Sequence, residues 1–186
     1  AEHNATGCDV PDAQLTRKGR RQASAWREHI GEFGAEVVLV SPLRRAVETA
    51  CLAFQDEGVP LELCRAAREK WWEEEANQPS SPAVLRKFLK KLPRGNEVDC
   101  VDEALAPTAT PDAEQSVELL RRVLVARTEG TIAVTCHWGV INHLTKMNAN
   151  NCDILECALS PSGEFEVLSQ HSSPGWQLCL IQCGWC

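Results

Sequence analysis

Two short apolar runs, each passing straight into an amphipathic helix, constrain this chain more than anything else in its sequence. Residues 36–40 (EVVLV) are β-branched and uninterrupted, the pattern of a strand buried on both faces. Ser41 and Pro42 then predict a helix start, with serine as N-cap and proline in the first turn. Leu43, Ala46, Val47, Ala50 and Phe54 follow at helical spacing as one apolar stripe. Residues 131–136 (TIAVTC) repeat the arrangement as a second buried strand, running into a helix that carries Val140, Ile141, Leu144 and Met147. Strands alternating with helices predict an α/β fold: three layers, a mostly parallel sheet with helices on both faces. In such folds ligands bind beyond the carboxyl ends of the strands. Residues 41–45 and 136–139 are therefore the junctions that matter.

Elsewhere the chain reads as follows. Residues 12–30 form a turn and a helix, with Thr16 able to cap it and Ala23, Trp26 and Ile30 on one face. Residues 65–81 are irregular. Residues 83–92 form a helix with Leu85, Phe88, Leu89 and Leu92 inward; its basic face (Arg86, Lys87, Lys90, Lys91) reads as solvated. Residues 93–115 are acidic, contain three prolines and predict a long surface loop. Residues 116–127 form another amphipathic helix. Residues 154–159 and 164–168 flank Ser-Pro-Ser-Gly as a hairpin. No repeat or linker divides the chain, so residues 1–168 are expected to form one domain, followed by a Cys-rich tail over 169–186.

Composition narrows the partners. A net charge of −7 opposes nucleic acid, whose phosphates need a basic surface, but not a small phosphorylated substrate held in one positive pocket. No apolar run approaches the roughly 20 residues needed to cross a bilayer, and nothing resembles a signal peptide, so no membrane partner is expected. Ten cysteines are scattered through the elements, which predicts reduced thiols and a cytoplasmic location. Cys179, Cys183 and Cys186 with His171 offer four zinc-type ligands, but their spacing matches no common finger, and the tail is expected to be unstructured. The chain opens on Ala1 and its only methionine is Met147, so the true start is expected upstream.

Chemistry concentrates at the two junctions. Arg45 falls in the opening turn of its helix, where free N–H groups and the helix dipole favour an anion, and its forked donors match phosphate oxygens. Arg44 is its rival for that role. His137 directly follows a strand end and precedes Gly139, which permits close approach of a ligand. Cys136 and His137 point to opposite faces, which opposes a thiol–imidazole pair.

Residues 41–50 (SPLRRAVETA) resemble the S-x-L-x-R-A-x-x-T-A segment of the histidine phosphatase (phosphoglycerate mutase-like) superfamily, with Arg45 in the arginine place. Residues 12–23 (DAQLTRKGRRQA) are similar to its D-x-x-L-T-x-x-G-x-x-Q-A, and residues 135–141 (TCHWGVI) to its second histidine motif, with His137 in the histidine place. Its opening motif, a strand ending R-H-G, then four residues and an asparagine, matches only at Asn4. The nucleophilic histidine is therefore expected just ahead of Ala1, with the first strand missing. His3 lacks the flanking arginine and glycine and is rejected as the nucleophile. Arg68-Glu69 looks like the family's R-E, making Glu69 the expected general acid, with Glu73, Glu74 and Glu75 as rivals.

The resemblance implies a two-step phosphoryl transfer through a phosphohistidine. Arg45, protonated His137 and Asn4 would bind phosphate, and Glu69 would protonate the leaving oxygen. No metal or cofactor is required. A phosphatase acting on a small phosphorylated metabolite is favoured over a mutase because the middle region is short. The alternatives are a mutase-type phosphoryl transferase, a non-catalytic phosphate-binding protein lacking the nucleophile, and a zinc-assisted hydrolase.

Overall fold

In a computed structural model, which describes residues 10–71, 74–106 and 113–173, β1 (Val37–Val40), β2 (Leu61–Leu63), β3 (Val98–Asp99) and β4 (Ile132–Thr135) form one parallel sheet. Its order is β3-β2-β1-β4, with Val38 opposite both Leu61 and Ala133. β1 is fully buried, as its uninterrupted apolar run requires. Successive side chains enter opposite layers. Val38 and Val40 pack with Val47 and Ala50 of α2 (Arg44–Ala53) and with Leu85, Phe88 and Leu89 of α3 (Pro82–Leu89). Val37 and Leu39 pack with Leu120 and Leu124 of α5 (Ala113–Val125) and Val140 of α6 (Trp138–Thr145). The sheet thus lies between helices on both faces. Each valine or leucine withdrawn in this way contributes about 1.5–3 kcal/mol.

Several local expectations change. α1 spans Arg17–Ser24, and Thr16 Oγ1 caps it by accepting from Gly19 N at 3.1 Å. Trp26 and Ile30 are buried as expected, but beyond Ser24 the chain tightens into i+3 bonds and a 3₁₀ turn, Ile30–Phe33, closed by left-handed Gly34. The helix after β1 starts at Arg44 rather than Pro42, because Ser41 is drawn elsewhere and Asp12 Oδ1 accepts from Arg44 N at 2.8 Å.

Residues 93–106 are not simply a surface loop. They hold a 3₁₀ turn, β3 and α4 (Val101–Leu105), because Val98, Val101 and Ala104 are buried within the acidic stretch. Met147 is exposed rather than inward, since left-handed Lys146 ends α6 before it.

β5 (Ile154–Leu159) and β6 (Phe165–His171) form the expected antiparallel hairpin, and β6 runs past Leu168. Among the described residues β4 pairs only with β1, and β5 only with β6, so each keeps an open edge. β4 is consequently half-buried rather than buried.

Candidate active site

β2, β1 and β4 are neighbours and run the same way, so their carboxyl ends share one side of the sheet. Ser41 and Arg45 follow β1. Glu69 follows β2 by way of a 3₁₀ turn, Arg65–Ala67, and His137 follows β4. Arg45, Glu69 and His137 come close there: Glu69 accepts from Gly139, two residues past His137, and the charges of Arg45 and Glu69 act on each other.

The two adjacent arginines have different surroundings. Arg44 belongs to a latch: its Nε donates to Asp12 O at 2.7 Å, and its guanidinium lies 5.8 Å from the centre of the Phe88 ring. Asp12 is buried and also accepts from Ser80 N at 2.8 Å. Arg45 instead reaches residues 76 and 77. Its Nη1 donates to Ala76 O at 3.0 Å and its Nη2 to Asn77 Oδ1 at 2.8 Å. Burial lowers the Arg45 pKa, and the negative charges of Glu69 and Asp12 work against that.

His137 is buried in extended backbone at the N-cap of α6, its Nε2 2.7 Å from Ser41 Oγ. Glu69 Oε1 accepts from Lys70 N at 2.9 Å and Oε2 from Gly139 N at 3.3 Å. This closeness needs glycine, because a Cβ on Gly139 would collide with the Glu69 carboxyl and stand 2.8 Å from Trp71 Cζ3. Burial raises the Glu69 carboxyl above its ordinary range, while those two N–H groups and Arg45 pull it down. Burial, with the charge of Glu69 adding, pushes the Cys136 thiol up to about 12, which keeps it from acting as a thiolate.

Of the rival carboxylates, Glu74 is joined to the site, since its charge acts on Glu69 and Asn77 links it to Arg45. Glu74 Oε2 accepts from Asn77 Nδ2 at 3.0 Å, and Glu75 is exposed at the start of a 3₁₀ turn, Glu75–Asn77. Glu73, His3 and Asn4 lie outside the described residues, as do Cys179, Cys183 and Cys186. His171 is buried on the hairpin with Nε2 2.7 Å from Glu156 Oε2 and 2.8 Å from Ser169 Oγ. Among the described residues no group of three or more His, Cys, Asp or Glu could hold a metal ion.

Sequence reasoning missed two site residues. Ser41, taken for a helix cap, contacts His137. Buried Asn77 holds Arg45 through Oδ1 while its Nδ2 donates to Trp71 O at 3.0 Å. One asparagine amid glutamates gave no signal of that role. The arrangement offers a half-buried guanidinium and an imidazole to hold an oxyanion, beside a carboxyl whose burial favours its proton.

A sequence model described as the histidine phosphatase superfamily (branch 1) matches residues 1–159. No match is found among curated proteins. Among solved structures, the native structure of a mycobacterial glucosyl-3-phosphoglycerate phosphatase is similar at 18% identity, with a TM-score of 0.47 over 87% of this chain and 88% of that one.

Proposed function

The chain belongs to the histidine phosphatase superfamily, branch 1, and from that premise we propose that it hydrolyses a small phosphorylated metabolite through a phosphohistidine. The observation that supports this reading most is that Arg45, Glu69 and His137 follow three adjacent parallel strands, with Glu69 bonded to Gly139 beside His137 and acting on the charge of Arg45. The half-buried fork of Arg45 and the His137 imidazole hold the phosphoryl oxygens, with Asn4 added from the opening loop. The attacking imidazole comes from the Arg-His-Gly expected ahead of Ala1. A strand entering between the open edges of β4 and β5 would bring it beside His137. Its nitrogen forms a bond to phosphorus as the ester P–O bond breaks, and Glu69 gives its proton to the departing oxygen. The resulting Glu69 carboxylate then takes a proton from water, whose oxygen attacks phosphorus. The N–P bond breaks and inorganic phosphate leaves.

Free thiols at the six cysteines among the described residues support the cytoplasmic location that goes with this reading. Among those residues no helix is long and apolar enough to cross a membrane.

The test is to express the protein with the residues encoded ahead of Ala1 and quench it during turnover of an aryl phosphate. Phosphate should be attached to nitrogen, stable in alkali and lost in acid. His137→Ala should slow formation of the adduct without removing its site. Turnover with no such adduct, or an upstream sequence with no histidine at that place, overturns the reading.

A further inference from the structure

Two tryptophans flank the carboxyl and imidazole just described, and neither has a part in the phosphoryl chemistry. Trp138 directly follows His137, lines a cavity with it and is 50% exposed. Its indole therefore offers a π-rich apolar surface to that cavity. Trp71 lies two residues past Glu69. The two rings are stacked at 16° with centroids 6.4 Å apart. Both are fixed from behind. Trp71 packs on the bare backbone of Gly139, its Cζ3 2.8 Å from where a Cβ would stand, and its carbonyl accepts from Asn77. Lys70 Nζ sits 4.7 Å from the centre of the Trp71 ring. Trp138 is held as the first residue of α6. Asn77 therefore ties the aromatic pair to Arg45, the proposed phosphate ligand.

We propose that Trp71 and Trp138 form a stacking platform that selects phosphomonoesters whose alcohol carries a flat π-face close to the phosphate. The inference rests on the phosphatase reading and deepens it. The pair stands beside the Glu69 carboxyl, which serves the leaving oxygen, because Trp71 and Glu69 both press on Gly139. An exposed indole face attracts flat unsaturated rings more than puckered saturated ones. An aryl-type alcohol and a nucleoside both present such a face.

The experiment compares benzyl phosphate with cyclohexylmethyl phosphate, whose leaving alcohols are both primary and nearly equal in acidity, so that ring flatness is the main difference. In the protein carrying its upstream residues, kcat/KM should favour the benzyl ester about three- to tenfold, mostly through KM. Trp138→Leu and Trp71→Leu should each bring that ratio close to one, while Trp138→Phe should keep most of it. Adenosine 5′-monophosphate against ribose 5-phosphate separates the two sources: a preference there as well extends the class to nucleotides, and its absence restricts the platform to aryl-type esters. Binding of benzylphosphonate and cyclohexylmethylphosphonate, followed by tryptophan fluorescence, gives the same comparison without turnover. Stronger quenching by the benzyl compound supports the platform even if no ester is hydrolysed, in which case the phosphatase reading alone fails. Equal handling of the two rings overturns the platform, and so do leucine variants that weaken both substrates alike, because the tryptophans would then be only packing.

Discussion

Arg44 and Arg45 carry the same charge one residue apart, and only their surroundings separate their roles. Arg45→Lys keeps the charge but cannot span Ala76 O and Asn77 Oδ1 while offering a fork to phosphate. It should lower kcat/KM for a phosphomonoester about ten- to a hundredfold, as expected for lost hydrogen bonds to a charged group. Arg44→Lys should instead loosen the Asp12 latch and shift the melting temperature more than the rate. A larger kinetic loss from Arg44→Lys would reassign the phosphate arginine. Glu69 gives a second pair of readouts. Its raised carboxyl pKa means that the fold favours the protonated form. That contribution to stability is complete below the ordinary carboxylate range and is lost as pH rises through the raised value. Glu69→Gln is neutral throughout, so thermal melts should show its stability relative to wild type growing with pH. As the leaving-group acid, Glu69 must keep its proton. Hydrolysis of alkyl phosphates should therefore fall as pH climbs through the same value, and Glu69→Gln should slow it about 10²–10⁴-fold with that limb flattened. Activated phenolates, which leave without a proton, should lose far less.

At the scale of elements, the segment before α1 is held by α2 rather than by its own turn. Buried Glu48 on α2 accepts from Leu15 N at 2.9 Å and from Arg20 Nε at 2.5 Å. Glu48→Ala would strand the Leu15 amide and should cost about 1–3 kcal/mol in denaturant melts. The elements that sequence periodicity made legible were those with a clear repeat: β1, the stripe on α2, the face of α3 and the β5–β6 hairpin. What stayed hidden depends on partners distant in sequence. Asp12 displaces Ser41 as the group serving the first turn of α2, and nothing near residue 41 encodes that. β3 is two residues long and exists because Val98 lies opposite Leu61, so its acidic neighbours masked it. Arg45 and His137 were named from strand ends and motif spacing together, whereas Glu69 rested on the R-E resemblance alone, because β2 ahead of it gave no strand signal. Asn77 and the Trp71–Trp138 pair were not legible, since their positions depend on the contacts of Trp71 with Gly139 and of Asn77 with Arg45.

The molecule as a whole was legible as a layered α/β sheet because β1 is apolar at every position and so demands cover on both faces. Among the described residues β4 and β5 each keep an open edge, and unpaired strand edges template association. The pairing of β1 with β4 has a kinetic side as well. Val37 lies beside Ile132 with about half of the chain between them, whereas β1 and β2 are joined by a single helical crossover. Closing the long loop costs entropy before its contacts compensate, so β1, α2 and β2 should gather first and β4 should dock late. Truncating Leu61 should then slow refolding, while truncating Val134 should mainly speed unfolding. During synthesis, the half-sheet that emerges first must wait with the β4 side of β1 uncovered until residue 135 is made, and in that interval a chaperone has its clearest target.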